Sequence, residues 1–285
     1  MFRLLAHVAR KKARNGASGW LSRFATQDDY RQHENWLQSV QPTPKAIGAG
    51  VEYLAQLEAT GICIVENFWS RETCALGRDE VDRVITQYPK YVNGNAKADQ
   101  RVYGANNASQ LIASFADNAV LTSVASAYNR EPTRTAFSLA ARMPVTSGNQ
   151  GSGDGWHRDA FLRQFKAILY LSDVGPDNGP FQMIADSHRR HRVLADMHSG
   201  QLKYMQYRLT EQEIERIITS EPERKTTYAA KAGTLILADT STLHRGKPIE
   251  AGTRYALTND YCPESRIENG LYEKFDVLPI AAVVS

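Results

Sequence analysis

The 285-residue sequence predicts a β sandwich or barrel buttressed by helices, and two features of its patterning predict it. Helical periodicity dominates the first half, whereas short β-like runs separated by turn signals begin near Thr135 and continue to Tyr261. Strand and helix do not alternate regularly, which argues against a doubly wound parallel sheet. With 42% hydrophobic and 23% charged residues, the composition is that of an ordinary globular chain, long enough to bury a sizeable core. A mean hydropathy of -0.45 and the lack of any apolar run near 18 residues argue against a membrane-spanning helix. Cys63, Cys74 and Cys262 show no C-x-x-C spacing, so a disulfide framework or zinc knuckle is not expected, and a reducing cytoplasm fits.

Residues 1–45 read as a basic leader followed by a polar helix around Trp36. Six cations (Arg3, Arg10, Lys11, Lys12, Arg14 and Arg23) precede Ala25 with no acid among them. The net charge is +3 overall, so the remainder carries −3, which argues against a nucleic-acid-binding surface. Phe2, Leu4, Leu5 and Val8 beside that basic cluster would allow peripheral contact of residues 1–25 with an anionic membrane, against the plainer expectation of a frayed terminus. Pro42, Pro44, Gly48 and Gly50 then open a single domain over residues 46–285.

Within that domain Val51–Thr60 has helical spacing and ends at Gly61, and Ile62–Val65 is a short buried strand. Arg71–Tyr88 and Ser109–Asn129 are further helical candidates. Strands follow at Ala136–Met143, Gln164–Leu171, Phe181–Ala185, Thr234–Ala238 and Thr253–Tyr261. Asn178-Gly179 marks a hairpin turn. Residues 186–230, which include a helix near Thr210–Thr219, form an insertion of the kind that serves as a lid or binding element. Substrate choice is expected to reside there and in Val92–Gln110, while the apolar ending Phe275–Val284 is expected to pack on the body or on a second subunit.

The chemistry concentrates at Gly155-Trp156-His157-Arg158-Asp159. On an extended chain His157 and Asp159 share a face and Arg158 points the other way. One imidazole and one carboxylate there can reach one divalent ion, and His244, 85 positions beyond Asp159, is the best third donor. Two histidines and a carboxylate with open positions are the donor set of non-haem iron(II) oxygenases. Such a site needs two electrons beyond those of a substrate C–H bond. A chelating 2-oxo acid supplies them, and its far carboxylate needs a guanidinium anchor. Arg254, ten positions after His244 and at the start of a strand, is placed for that role. Lys166 would add a second charge to the pocket.

These residues, together with Phe165-Lys166-Ala167-Ile168-Leu169-Tyr170-Leu171, Asn178-Gly179-Pro180-Phe181, Ser187-His188, Gly233-Thr234-Leu235 and His244-Arg245-Gly246, resemble the phytanoyl-CoA dioxygenase family over about residues 135–262. Gly61–Phe68 resembles its opening strand. The resemblance implies a double-stranded β-helix (jelly-roll, cupin-like) core, mainly β with a helical buttress. It also implies His157, Asp159 and His244 as the iron ligands and Arg254 as the 2-oxoglutarate anchor. Ala185-Asp186 departs from the Pro-Gly that many members carry before Ser-His, which puts substrate transfer in doubt but leaves the ligands untouched. The triad aspartate disfavours halogenation.

The function so implied is an iron(II)- and 2-oxoglutarate-dependent dioxygenase. It would use dioxygen to hydroxylate an aliphatic C–H of a small-molecule, lipid or glycan substrate, with release of succinate and carbon dioxide. The contrasting reading is a non-catalytic metal-binding β-barrel module. A serine hydrolase is excluded by the missing Gly-x-Ser-x-Gly elbow. His188, His191 and His198 are not expected as ligands, and the run Arg189–Arg192 reads first as a solvated face.

Overall fold

The computed structural model describes residues 2–14, 19–93, 99–267 and 270–280; residues 281–284 of the apolar ending, and the leader's Phe2, Leu4 and Leu5 side chains, lie outside what is described. In chain order the helices α1 (Phe2–Arg14), α2 (Trp20–Ser39) and α3 (Gly50–Thr60) lead to strand β1 (Ile62–Val65) and helix α4 (Arg71–Gln87). Two short strands, β2 (Val92–Asn93) and β3 (Gln100–Tyr103), and helices α5 (Gln110–Ala116) and α6 (Ala119–Asn129) come next. The β half comprises β4 (Thr133–Pro144), β5 (Trp156–His157), β6 (Phe165–Tyr170) and β7 (Phe181–Ile184). The insertion contributes α7 (Arg190–Ser199), β8 (Arg208–Leu209), α8 (Glu211–Ile218) and β9 (Lys225–Tyr228). The chain closes with β10 (Leu235–Asp239), β11 (His244–Gly246), β12 (Thr253–Pro263) and α9 (Leu271–Lys274).

The strands form two antiparallel sheets, of order β1-β10-β6-β12-β4-β3-β2 and β8-β5-β11-β7-β9. That is the jelly-roll arrangement expected from the sequence. Period-two alternation divides the large sheet's side chains between two cores. Leu169, Leu235, Leu237 and Leu257 face out and pack under Leu57, Val84, Phe115, Leu121 and Tyr128 of the helices. Tyr170, Ile236 and Ala238 face in and meet Phe181 and Met183 of the small sheet. β10 is buried at all five positions because both its faces are covered, which explains its unbroken apolar run.

Local chemistry fixes the helix ends. Ser70 and Asn118 cap α4 and α6 through bonds from Thr73 N and Leu121 N, each 3.1 Å. Thr210 and Glu213 close a capping box on α8. Gly61, at φ +78°, ends α3 in the left-handed conformation that glycine adopts without strain.

The leader is helical, not frayed: Ala9 and Ala13 of α1 pack with Ala25 of α2 and with Tyr204 of the insertion. Arg10 bridges Asp28 and Asp29, both at 2.6 Å. Three members of the 189–192 basic run take carboxylate partners, Arg189 with Asp186, Arg190 with Glu34 and Arg192 with Glu221, so it is neither a bare solvated face nor an open anion patch. Among the described residues no helix is long and apolar enough to cross a membrane.

Candidate metal centre

His157 and His244 are directly paired residues of the antiparallel strands β5 and β11, and their ring centroids lie 4.3 Å apart. Asp159 follows β5 and is pinned by its amide, which donates to Thr240 O at 2.9 Å. Nε2 of His157 lies 3.6 Å from Asp159 Oδ1, and Nε2 of His244 lies 3.7 Å from Asp159 Oδ2. All three donor atoms fall within 4.8 Å of one another. Donors bound at about 2.1 Å to one ion stand at comparable separations, so the triad fits a single divalent cation.

Each imidazole is oriented through its other nitrogen. His157 Nδ1 donates to Gly155 O and His244 Nδ1 to Thr242 O, both at 2.9 Å, which leaves both Nε2 lone pairs facing the shared centre. Burial lowers His244 to about 4 and lowers His157 as well, against the pull of Asp159, so both rings are neutral near pH 7. Burial would raise the Asp159 carboxyl, but the Lys166 ammonium, 3.1 Å away, holds it well below the usual carboxylate range. Neutral imidazoles and an ionised carboxylate are the protonation states a metal requires.

Lys166 lies in this cavity, but its ammonium is spent on Asp159 (3.1 Å) and Asp260 (2.7 Å). Asp260 is its register partner on β12, so the ion pair follows from strand alignment. Burial alone would depress the ammonium; the two carboxylates raise it above the ordinary lysine value.

Arg254 is different. It is 5% exposed, and among the described residues its Nε has no partner while Nη2 approaches only Met143 Sδ at 2.8 Å. Among the described residues it has no carboxylate partner: Asp260 goes to Lys166, and Asp239 takes the Tyr128 hydroxyl at 2.6 Å. Gly179 and Gly246 give the guanidinium room, since a Cβ at either would press on it. A buried cation without an acid is costly unless an anion is meant to meet it.

One cavity of about 520 Å³ joins the triad, Lys166 and Arg254. Its walls include residues the sequence did not single out: Arg101 and Tyr103 of β3, and Leu271, Lys274 and Phe275 near the chain's end. The rings of Tyr103, Phe137 and Phe275, all in the cavity wall, pack on one another at 5.3–5.4 Å. Of the segment Val92–Gln110, Arg101 and Tyr103 line the cavity, and of insertion 186–230 only Arg208 does. Phe275 packs on the body itself. Only long-range strand pairing would have identified these residues, because β3 and α9 carry no motif. Trp156, 1% exposed, belongs to a core cluster with Phe161 and Ile214. Arg245 is tied to Gln182 and Glu211, and His188 to Thr242, so neither joins the triad.

Residues 57–254 match a family model described as phytanoyl-CoA dioxygenase (PhyH). A search of curated proteins gave no match. Among solved structures, the non-haem α-ketoglutarate-dependent epimerase SnoN from nogalamycin biosynthesis is similar, with 16% identity and a TM-score of 0.58 over 81% of this chain and 90% of that one. EctD from S. alaskensis, solved with 2-oxoglutarate and 5-hydroxyectoine, aligns at 18% identity and TM-score 0.59 over 79% and 78%. HygX from Streptomyces hygroscopicus, solved with nickel and 2-oxoglutarate, aligns at 18% and 0.52 over 75% and 87%. At these identities the likeness is one of fold.

Proposed function

Because the chain belongs to the phytanoyl-CoA dioxygenase family, we propose that it binds iron(II) through His157, Asp159 and His244 and 2-oxoglutarate through Arg254, and that it hydroxylates an aliphatic C–H of a small molecule. The observation that carries this reading is the pairing of a three-donor metal set with a buried, acid-free guanidinium in one cavity. When bound, a ferrous ion and 2-oxoglutarate supply the oxidising chemistry: dioxygen is consumed, the co-substrate becomes succinate and carbon dioxide, and one oxygen atom goes to substrate.

The protein's own contribution is positioning. His157 and His244 present neutral Nε2 atoms fixed by backbone carbonyls, and Lys166 holds Asp159 ionised and oriented. Arg254 offers a fork for a distal carboxylate within the cavity. Tyr103, Phe137 and Phe275 in its wall offer apolar area to a substrate body. At about 520 Å³, the cavity is of the size that takes small molecules. Peripheral contact of residues 1–25 with an anionic membrane would rest on the exposed Lys11, Lys12 and Arg14, and unchanged vesicle co-sedimentation after reversing those three charges would exclude it.

Anaerobic titration with iron(II) and 2-oxoglutarate should produce a weak visible charge-transfer band. Arg254→Met should remove the 2-oxoglutarate dependence while retaining metal binding. Succinate formation in a metabolite extract, with one metabolite gaining a single oxygen, would identify the substrate. Metal binding with no succinate under any condition would favour the non-catalytic module instead.

A further inference from the structure

The wall of the metal cavity is unbalanced in charge. Five cations, Arg101, Lys166, Arg208, Arg254 and Lys274, line it against two carboxylates, Asp159 and Asp260. Lys166 takes both acids, at 3.1 and 2.7 Å, and Arg101 pairs with Asp99, which is not a wall residue. Arg208, Arg254 and Lys274 are left with no acid partner among the described residues. A ferrous dication and a 2-oxoglutarate dianion cancel each other, so filling the proposed centre leaves this excess in place. A cleft lined by one sign of charge concentrates ligands of the other.

Arg208 stands closest to the chemistry. Strand β8 pairs antiparallel with β5, and Arg208 is the register partner of His157. Directly paired residues share a face of the sheet, so the Arg208 side chain leaves on the face that carries a metal donor. Its Nη1 donates to Gly153 O at 2.7 Å and Asp154 O at 3.2 Å, and Gly153 itself lies against the His157 ring. Two carbonyls orient the guanidinium without neutralising it. Among the described residues Nε and Nη2 take no partner, and Arg208 is exposed, so a ligand can reach them. A fixed guanidinium with one edge free matches the geometry of a carboxylate or phosphate.

The same wall is rich in apolar area. Tyr103, Phe137 and Phe275 pack together in it, and one turn of α9 adds Leu271 beside Lys274 and Phe275. Rings and unspent positive charge in one cavity suit a molecule with an apolar body and an acid group.

We propose that the substrate is an anion, a small molecule with an apolar body whose carboxylate or phosphate is received by Arg208, which makes Arg208 a specificity-determining residue. This rests on the reading of the cavity as an iron and 2-oxoglutarate site and goes further by giving the substrate its charge. It also gives the insertion 186–230 a part in substrate choice, through the one residue that it sends to the cavity wall among those described.

The test is calorimetric titration, under argon, of the full chain loaded with manganese and 2-oxoglutarate. The probes are octanoate, octyl phosphate, octanol and octylamine, which share a tail and differ in charge. At least one of the two anions should bind roughly tenfold tighter than octanol, with octylammonium weakest, and the tighter anion names the acid group. Arg208→Gln should remove that preference while octanol, manganese and 2-oxoglutarate affinities stay within about twofold. Arg208→Lys, which keeps the charge, should recover part of it. Octanol binding as tightly as both anions, or no octyl compound binding to the loaded chain, would overturn the proposal. So would an anion preference lost in Lys274→Met but kept in Arg208→Gln. A fall in all affinities alike in Arg208→Gln would also overturn it, because Arg208 would then only latch the glycine-rich run. Failure of manganese or 2-oxoglutarate to bind the unsubstituted chain is a different result, which would sink the reading of the cavity and this inference with it.

Discussion

Two cations in one cavity show how much a side chain's role depends on what faces it. Lys166 and Arg254 both point inward from neighbouring strands, yet Lys166 meets two carboxylates and Arg254 meets none. Lys166 therefore acts through Asp159, whereas Arg254 is buried with no acid beside it among the described residues. Lys166→Met would strand Asp260 and Asp159 close together without a counter-charge. It should destabilise the metal-free protein by about 3 kcal/mol in urea denaturation, the cost of breaking a buried pair from one side. Saturating manganese should recover much of that loss, since the ion replaces the missing positive charge, whereas 2-oxoglutarate affinity should change less than twofold. A large loss of 2-oxoglutarate binding would instead give Lys166 a direct contact with the co-substrate.

At the scale of elements, the segment before β5 and the helix α2 each carry a prediction. Gly153 has φ +88° and lies against the His157 ring, so that any Cβ would run into the imidazole. Gly153→Ala should lower metal affinity at least tenfold in a manganese titration, while the melting temperature of the metal-free chain falls by no more than a few degrees. The glycine-rich run 148–155 is held by Gly246 N donating to Ser152 O and by Arg208 donating to Gly153 O at 2.7 Å. In α2, burial lowers His33 to about 4, aided by Arg163 and Arg266. The native state thus resists a proton that the unfolded chain accepts near pH 6.5. Stability from this source is complete above about pH 6.5 and is lost as pH falls towards 4. Urea midpoints should drop between pH 7 and pH 5, and His33→Leu should flatten that slope.

Considered as a whole, the molecule is a jelly roll that its leader helps to complete. Tyr30 joins Trp156, Phe161, Ile184 and Leu243 in one core cluster, and Tyr204 of the insertion donates to Asp29 at 2.5 Å. Deleting residues 1–45 should therefore lower the melting temperature by roughly 5–10 °C, equivalent to about 3 kcal/mol for a chain of this size; no change would make the leader a passenger. Much of the architecture was legible beforehand. The predicted runs Thr253–Tyr261 and Thr234–Ala238 became β12 and β10 within two residues at each end, because alternation and turn residues act locally. β2, β3, β8 and β9 escaped notice because strands of two to four residues carry almost no periodicity. What the sequence determined by itself was the set of donors and their facing: H-x-D on an extended segment, a later histidine, and an arginine ten residues on. What only the tertiary structure decided was who meets whom: Asp260 with Lys166, no acid with Arg254 among the described residues, and Phe275 in the wall of the metal cavity. Facing is set by backbone periodicity within a few residues, whereas partnership and desolvation arise only when segments distant in the chain are packed together.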